Sequence, residues 1–153
     1  IRTYLAEDNL NQDTTSVLDQ VLYRIQNDLF NVGADLATPK EARWNGMVLV
    51  NQDSIVRLEE AIDRLNEDLP PLREFILPGG GKVGAFFHQA RTVCRRAERR
   101  VVELMNQEPE VDSTAMTYLN RLSDYLFVAG RWAAKSLGEN EYFWQRDPKP
   151  PKV

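Results

Sequence analysis

The sequence contains very little of the chemistry that metal centres and disulfides require. It has one cysteine, Cys94, and one histidine, His88, among 153 residues. A single cysteine excludes an internal disulfide and is typical of proteins kept in a reducing compartment. The same two residues cannot form, within one chain, the zinc sites that proteins build from histidine and cysteine. We therefore expect neither a disulfide-stabilised fold nor a zinc enzyme.

Long apolar runs and an excess of positive charge are also missing. No apolar run reaches the length of about 20 residues that a membrane-spanning helix needs, and no charged and then apolar leader opens the sequence. The 19 Lys and Arg residues are outnumbered by 23 Asp and Glu residues, for a net charge of -4. Nucleic-acid-binding domains usually carry a broad basic surface. We expect no nucleic-acid partner, no membrane partner and a cytoplasmic location, with the mitochondrial matrix as the alternative.

The positive charge that is present is concentrated in residues 90–100 (ARTVCRRAERR), which hold five arginines and one glutamate. In a helix, Arg91, Arg95 and Glu98 share one stripe. The neighbouring stripe is apolar and is predicted to face the core: Phe86, Ala90, Val93, Ala97, Val101 and Leu104. An arginine beside a core is costly to desolvate without an anionic partner, and its planar guanidinium matches phosphate oxygens two at a time. The pattern predicts a phosphate-binding site, and a solvated basic helix face is the alternative.

Helical periodicity covers most of the sequence. Apolar residues spaced by three and four predict helices that run from Asp13 to Gly33, from Asp53 to before Pro70, from Lys82 to Asn106, and from Ser113 to Leu137. Residues 1–8 are typical of the end of a further helix. Residues 37–50, which mix proline, glycine and charge without a sustained period, and the proline-containing tail after Gly138 are predicted to be irregular. Residues 75–81 (FILPGGG) could form a strand, but no partner strand is evident, so we predict an extended loop. We predict one all-α domain, residues 1–153, folded as an up-and-down helical bundle of the ferritin-like, five-helix type with its first helix truncated.

Four segments carry a resemblance to a known family: residues 26–39 (QNDLFNVGADLATP), 75–80 (FILPGG), 90–99 (ARTVCRRAER) and 118–127 (YLNRLSDYLF). In this order, over most of the chain, they are similar to the PduO-type ATP:cob(I)alamin adenosyltransferases. The resemblance implies transfer of the 5′-deoxyadenosyl group of ATP to the cobalt of cob(I)alamin, with release of triphosphate. It also implies a homotrimer with sites between subunits and Mg²⁺ accompanying ATP. Residues 1–153 lack the family's N-terminal nucleotide-binding segment, which we expect to precede Ile1.

The resemblance implies roles for the charged residues. Arg95 would be the main phosphate-binding and catalytic arginine, and Glu98 and Asn120 would complete the ATP site. Glu98 would hold the Arg95 guanidinium or help to place the metal. Arg91, also catalytic, would form a salt bridge across the subunit interface beside the corrin.

The resemblance assigns the cobalamin side of the site to aromatic residues. Phe75 and Phe127 match positions that close over the lower face of the corrin, and packing in the core is the alternative for both. His88 is interpreted as a hydrogen-bonded structural residue rather than a reactive one. Two other functions remain open. One is a cobalamin carrier that hands the cofactor to an adenosylcobalamin-dependent enzyme, and the other is a trimeric scaffold whose arginines meet acidic surfaces or nucleic acid.

Overall fold

The structure, a computed structural model, describes residues 1–7 and 12–147 of the chain. This part contains five α-helices: α1 (Arg2–Glu7), α2 (Gln12–Ala37), α3 (Gln52–Asn66), α4 (Gly81–Gln107) and α5 (Thr114–Ser136). The predicted all-α helical bundle is confirmed. None of these helices is long and apolar enough to cross a membrane. The predicted helix end at residue 8 and the last prolines of the tail lie outside the described residues.

Helix α5 lies at the centre of the bundle and contacts α2, α3 and α4. Its predicted core positions are all buried: Ala115, Leu119, Leu122, Leu126, Ala129 and Ala133. Its burial extends beyond one stripe and includes polar residues such as Ser123 and Arg131. Burial around most of the circumference is what a helix surrounded by other helices requires. Side chains where α4 meets α5 therefore have little freedom to move.

Glycines let the start of α4 approach α5 closely. A Cβ added to Gly84 would lie 2.5 Å from the carbonyl oxygen of Gly79, and one added to Gly80 would lie 2.7 Å from the Cβ of Ala134. Gly80 also has a φ of 78°, a left-handed conformation that residues with a side chain rarely adopt. The glycine run therefore turns the chain into α4 directly against the central helix.

Three predicted helix boundaries were wrong. Helix α2 begins at Gln12, so Asp13 lies inside its first turn. Helix α3 is capped by Asn51, whose side chain accepts a hydrogen bond from the amide of Ser54 at 3.1 Å, and Asp53 lies inside the first turn. Asparagine and aspartate are equally good N-caps, so the sequence alone does not distinguish these two positions. Helix α2 continues past Gly33 to Ala37, because one glycine costs a long helix only about 1 kcal/mol.

The prediction that residues 75–81 form a loop without a strand was also wrong. Strand β1 (Ile76–Leu77) pairs antiparallel with β2 (Tyr142–Phe143) of the tail, which was predicted to be irregular. Ile76 lies opposite Phe143. Each strand has only two residues, too few to show an alternating pattern in the sequence. The C-terminal tail is thereby attached to the segment that carries Phe75.

The core face of α4 differs from the predicted apolar stripe. Val93 and Ala97 are exposed. The buried residues of α4 are instead Val83, Gly84, Phe87, Cys94, Glu98 and Val101. The reason is that α4 packs mainly against α5. Of the predicted stripe, Val101 is buried, whereas Phe86, Ala90, Val93 and Ala97 line a groove of about 570 Å³ that faces α2.

Candidate functional site

The carboxylate of Glu98 connects α4 to α5 at the centre of the candidate site. Glu98 is only 8% exposed. Its Oε2 accepts a hydrogen bond from Nη1 of Arg95 at 2.5 Å, and its Oε1 accepts one from Nδ2 of Asn120 at 2.9 Å. A buried carboxylate needs such partners to offset its desolvation. The structure therefore brings together the three residues that the sequence predicted for ATP binding.

The Arg95 guanidinium is oriented by Glu98 and still accessible from solvent. A guanidinium carries five N–H donors, of which the bond to Glu98 uses one. The side chain of Arg95 remains 41% exposed. Arg91 lies one turn earlier on the same helix and is exposed as well. The arrangement presents two cations on one helix face, and the inner one is fixed in orientation by a buried carboxylate.

Cys94 lies beside Arg95 but has the properties of a structural residue. Its thiol donates a hydrogen bond to the carbonyl oxygen of Leu119 at 3.2 Å, next to Asn120. Burial, and secondly the nearby carboxylate of Glu98, raise the pKa of Cys94 to about 12. A thiol that stays protonated at neutral pH is a poor nucleophile. Its contribution is a second α4–α5 contact beside the Glu98 bridge.

A groove of about 600 Å³ lies near the start of α4, and both predicted aromatic residues line it. Its lining residues are Leu72, Arg73, Glu74, Phe75, Ile76, Pro78, His88, Arg91 and Phe127. Phe75 is 80% exposed and therefore lies outside the core of this chain. Phe127 is partly buried and packs against the core with one side. The groove thus combines apolar rings with two arginines and a glutamate.

Phe127 is contacted by two side chains of α4. The guanidinium carbon of Arg91 lies 5.4 Å from the centre of its ring, within the range of a cation–π interaction. The His88 ring meets it edge to face, with centroids 6.2 Å apart. Burial, and secondly the charge of Arg91, lower the pKa of His88, so a neutral imidazole is favoured at neutral pH. His88 therefore packs against Phe127, but the predicted hydrogen bond of its ring is not found within the described residues.

Two ion pairs near the site were not assigned from the sequence. Arg131, four residues after Phe127 on α5, is buried and pairs with Glu141 of the tail at 2.7 Å. An arginine within the apolar stretch 127–134 (FVAGRWAA) was the signal for a buried partner, but the sequence does not say where that partner lies. Asp124, one turn before Phe127, pairs with Arg121 of its own helix at 3.2 Å.

The residues that the structure describes do not form a magnesium site. Within residues 1–7 and 12–147, no group of three or more histidine, cysteine, aspartate or glutamate side chains is placed to hold a metal ion. Glu98 has both oxygens engaged, by Arg95 and by Asn120. Magnesium requires oxygen ligands in near-octahedral geometry, and one engaged carboxylate does not supply them. No chemical step is therefore assigned to a metal held by these residues.

Comparison with known proteins gives one consistent result. The family model for cobalamin adenosyltransferase matches residues 3–133. A corrinoid adenosyltransferase of Bacillus subtilis is 46% identical over 123 residues, which cover 79% of this chain and 62% of the relative. A human corrinoid adenosyltransferase is 45% identical over 130 residues, which cover 82% of this chain and 51% of the relative. The chain therefore spans about half the length of the human relative.

Solved structures agree with the sequence relatives. A variant PduO-type ATP:corrinoid adenosyltransferase from Lactobacillus reuteri, complexed with cobalamin and ATP, superposes with a TM-score of 0.82 at 35% identity. The match covers 95% of this chain and 76% of that one. A second variant of that enzyme, complexed with ATP, gives a TM-score of 0.79 at 34% identity, with 94% and 81% covered. The chain belongs to the cobalamin adenosyltransferase family.

Proposed function

We propose that this protein transfers the 5′-deoxyadenosyl group of ATP to cob(I)alamin, giving adenosylcobalamin and triphosphate. One observation carries the proposal. The partly exposed, oriented guanidinium of Arg95 lies one turn from Arg91 on α4, and Arg91 contacts Phe127 of α5 in the aromatic groove. Phe75 lines the same groove from the segment that precedes β1. A similar solved chain holds cobalamin and ATP together.

In the proposed reaction the protein positions the reactants and stabilises the leaving group. The electron pair of Co(I) attacks C5′ of the ribose, the C5′–O bond breaks, and its electrons leave with the triphosphate. Arg95 donates hydrogen bonds to the phosphates, while Glu98 keeps its guanidinium in the orientation that the structure shows. Asn120, fixed by the same carboxylate, contacts the nucleotide. Donors fixed in advance stabilise the developing charge without reorganising during the reaction.

The aromatic groove has a different task. Phe75 and Phe127 provide apolar surface against the lower face of the corrin, which displaces the lower axial base and excludes water. Cobalt without that base is more easily reduced to Co(I). Phe127 is kept in place by His88 and Arg91, while Phe75 projects into solvent, where a ligand can cover it.

The assembly and the partners follow from the same proposal. We infer a homotrimer with its sites between subunits, in which the exposed Arg91 pairs with a carboxylate of the neighbouring subunit. Mg²⁺ would be bound by the phosphates of ATP. The product would pass to an adenosylcobalamin-dependent enzyme. The one cysteine suits either the cytoplasm or the mitochondrial matrix.

An anaerobic assay tests the proposed reaction. The protein is mixed with ATP, Mg²⁺ and chemically reduced cobalamin, and the cobalt–carbon product is followed by its visible spectrum. The proposal predicts product whose formation depends on both the protein and ATP. Tight cobalamin binding without product would instead establish the carrier function, which retains the aromatic groove and has no use for Arg95.

Phe75→Ala should weaken conversion of bound cobalamin to its base-off form by about tenfold, because most of one buried phenylalanine's apolar contact is lost. ATP affinity should change little. The measurement is a pair of separate titrations, one with cob(II)alamin followed spectrally and one with ATP. Phe30→Ala is the matched control, since Phe30 is 79% exposed on α2. A variant that loses ATP affinity but keeps base-off conversion would remove Phe75 from the corrin site.

A further inference from the structure

The side chain of Phe75 makes few contacts that would fix its position. Phe75 is largely exposed and directly precedes the two-residue strand β1. Its carbonyl oxygen accepts a hydrogen bond from the amide of Trp144 at 2.7 Å. The next residue, Ile76, pairs with Phe143 of β2. The backbone position of Phe75 is therefore set by the C-terminal tail.

The β1–β2 ladder is too short to stay in place by itself. Isolated two-stranded pairs are marginal in water even when they are longer. Glu141, immediately before β2, provides an anchor to α5. Its Oε1 accepts a hydrogen bond from Nε of Arg131 at 2.7 Å, and its Oε2 accepts one from Nη2 at 3.4 Å. Such a two-point contact between a planar guanidinium and a carboxylate fixes direction as well as distance.

Arg131 also holds the chain on the other side of Phe75. Its Nη2 donates to the carbonyl oxygen of Pro70 at 3.1 Å. The neighbouring Trp132 donates from its indole nitrogen to Asp68 at 3.0 Å. Arg131 and Trp132 thus both bond to the segment that leads to Phe75. Arg131 bonds in addition to the tail, through Glu141. The guanidinium of Arg131 is 5% exposed, so its bonds face little competition from water.

We propose that Arg131 and Glu141 are positioning residues for Phe75, which fix the aromatic wall of the corrin site through the β1–β2 pair. The inference rests on the proposed function, because it gives Phe75 its task. A buried guanidinium without its carboxylate is costly, so Arg131 strongly favours the arrangement in which Glu141 lies against α5. Because Glu141 belongs to the tail, we expect weakening of this pair to displace the Phe75 segment more than the distant Arg95.

Hydrogen exchange tests the connection without any ligand. In Glu141→Gln, the carboxylate charge is lost and the side chain keeps its size, so the amide of Trp144 should exchange about tenfold faster. Glu139→Gln is the matched control, because it makes the same charge change in the same tail. The Glu139 side chain lies against Gly81 and has no hydrogen bond or ion pair within the described residues. Equal exchange of Trp144 in both variants would overturn the inference.

Cobalamin spectra test the consequence for the site. With ATP present, Glu141→Gln should reduce the base-off fraction of bound cob(II)alamin several-fold and leave the ATP dissociation constant within about twofold. A parallel loss of ATP affinity and base-off conversion would show a merely structural role and overturn the inference. If the parent protein itself gives no base-off cobalamin, the proposed function fails, while the exchange result still decides whether the ion pair positions Phe75.

A second variant covers the case in which Glu141→Gln does not fold. Trp144→Pro removes the amide that donates to the carbonyl oxygen of Phe75 and leaves the Arg131 pair intact. It should reproduce the loss of base-off conversion. Trp144→Ala, which keeps the amide, separates this effect from that of the indole ring. Equal behaviour of the two variants would contradict the role of the backbone bond.

Discussion

Arg95→Ala should lower the turnover of adenosylcobalamin formation by about a hundredfold, as expected for loss of one donor that stabilises a leaving group. The structure gives the reason. The Arg95 guanidinium is held by Glu98 and exposed on its other side, so it is oriented before any phosphate arrives. Alanine removes the charge, and it leaves the Glu98 carboxylate with only Asn120 as its hydrogen-bond partner among the described residues. Steady-state kinetics at saturating cobalamin measure the effect.

Arg96→Ala is the control for the loss of one positive charge from the same helix. Arg96 is exposed, it is not on the Arg91 and Arg95 stripe, and no ion pair of Arg96 is present in the described part of the chain. Turnover should stay within about twofold of the parent. If Arg95→Ala folds and turns over as fast as Arg96→Ala, then Arg95 does not bind the leaving group, and the cation at this site must be sought elsewhere.

Gly84→Ala should lower the melting temperature by on the order of 5–10 °C, the largest stability effect that we expect from adding one methyl group. The added Cβ would lie 2.5 Å from the carbonyl oxygen of Gly79, a backbone atom that cannot rotate away. Relief requires α4 to move from the turn that precedes it. Thermal unfolding followed by circular dichroism measures the shift.

Gly33→Ala is the matched control and should change stability in the opposite direction. Gly33 lies inside α2, and a Cβ there would meet nothing within 4 Å. Alanine should therefore stabilise the helix by up to about 1 kcal/mol through its higher helix propensity. A Gly84→Ala protein as stable as the parent would show that α4 and the preceding turn do not approach each other as closely as described.

The parts of the fold predicted correctly from the sequence are those determined by local periodicity. Helix α5 is the clearest case, since every predicted core position from Ala115 to Ala133 is buried. The charged stripe of α4 was also predictable, because spacing alone places Glu98 within reach of Arg95, as the 2.5 Å contact confirms. The contact of Glu98 with Asn120 on α5 depends on how the helices pack, and there the prediction drew on the family resemblance.

The parts that could not be predicted depend on distant segments. The face of α4 toward α5 is set by packing at Phe87 and Cys94, so the more regular stripe through Val93 was misread as the core. The β1–β2 pair joins segments far apart in the sequence, and neither is long enough to carry a strand pattern. That Glu141 is the partner of Arg131 could not be predicted either, because the sequence offers many other carboxylates and only the fold decides between them.

The protected state of Cys94 has a practical consequence for spectroscopy. Its sulfur is buried against the Leu119 carbonyl oxygen, and it would ionise only near pH 12, so maleimides at neutral pH should leave it unmodified. Since the sequence contains no other cysteine, a thiol introduced at any exposed position would be the only reactive one. A fluorophore or spin label can therefore be attached at a chosen point without first replacing the native residue.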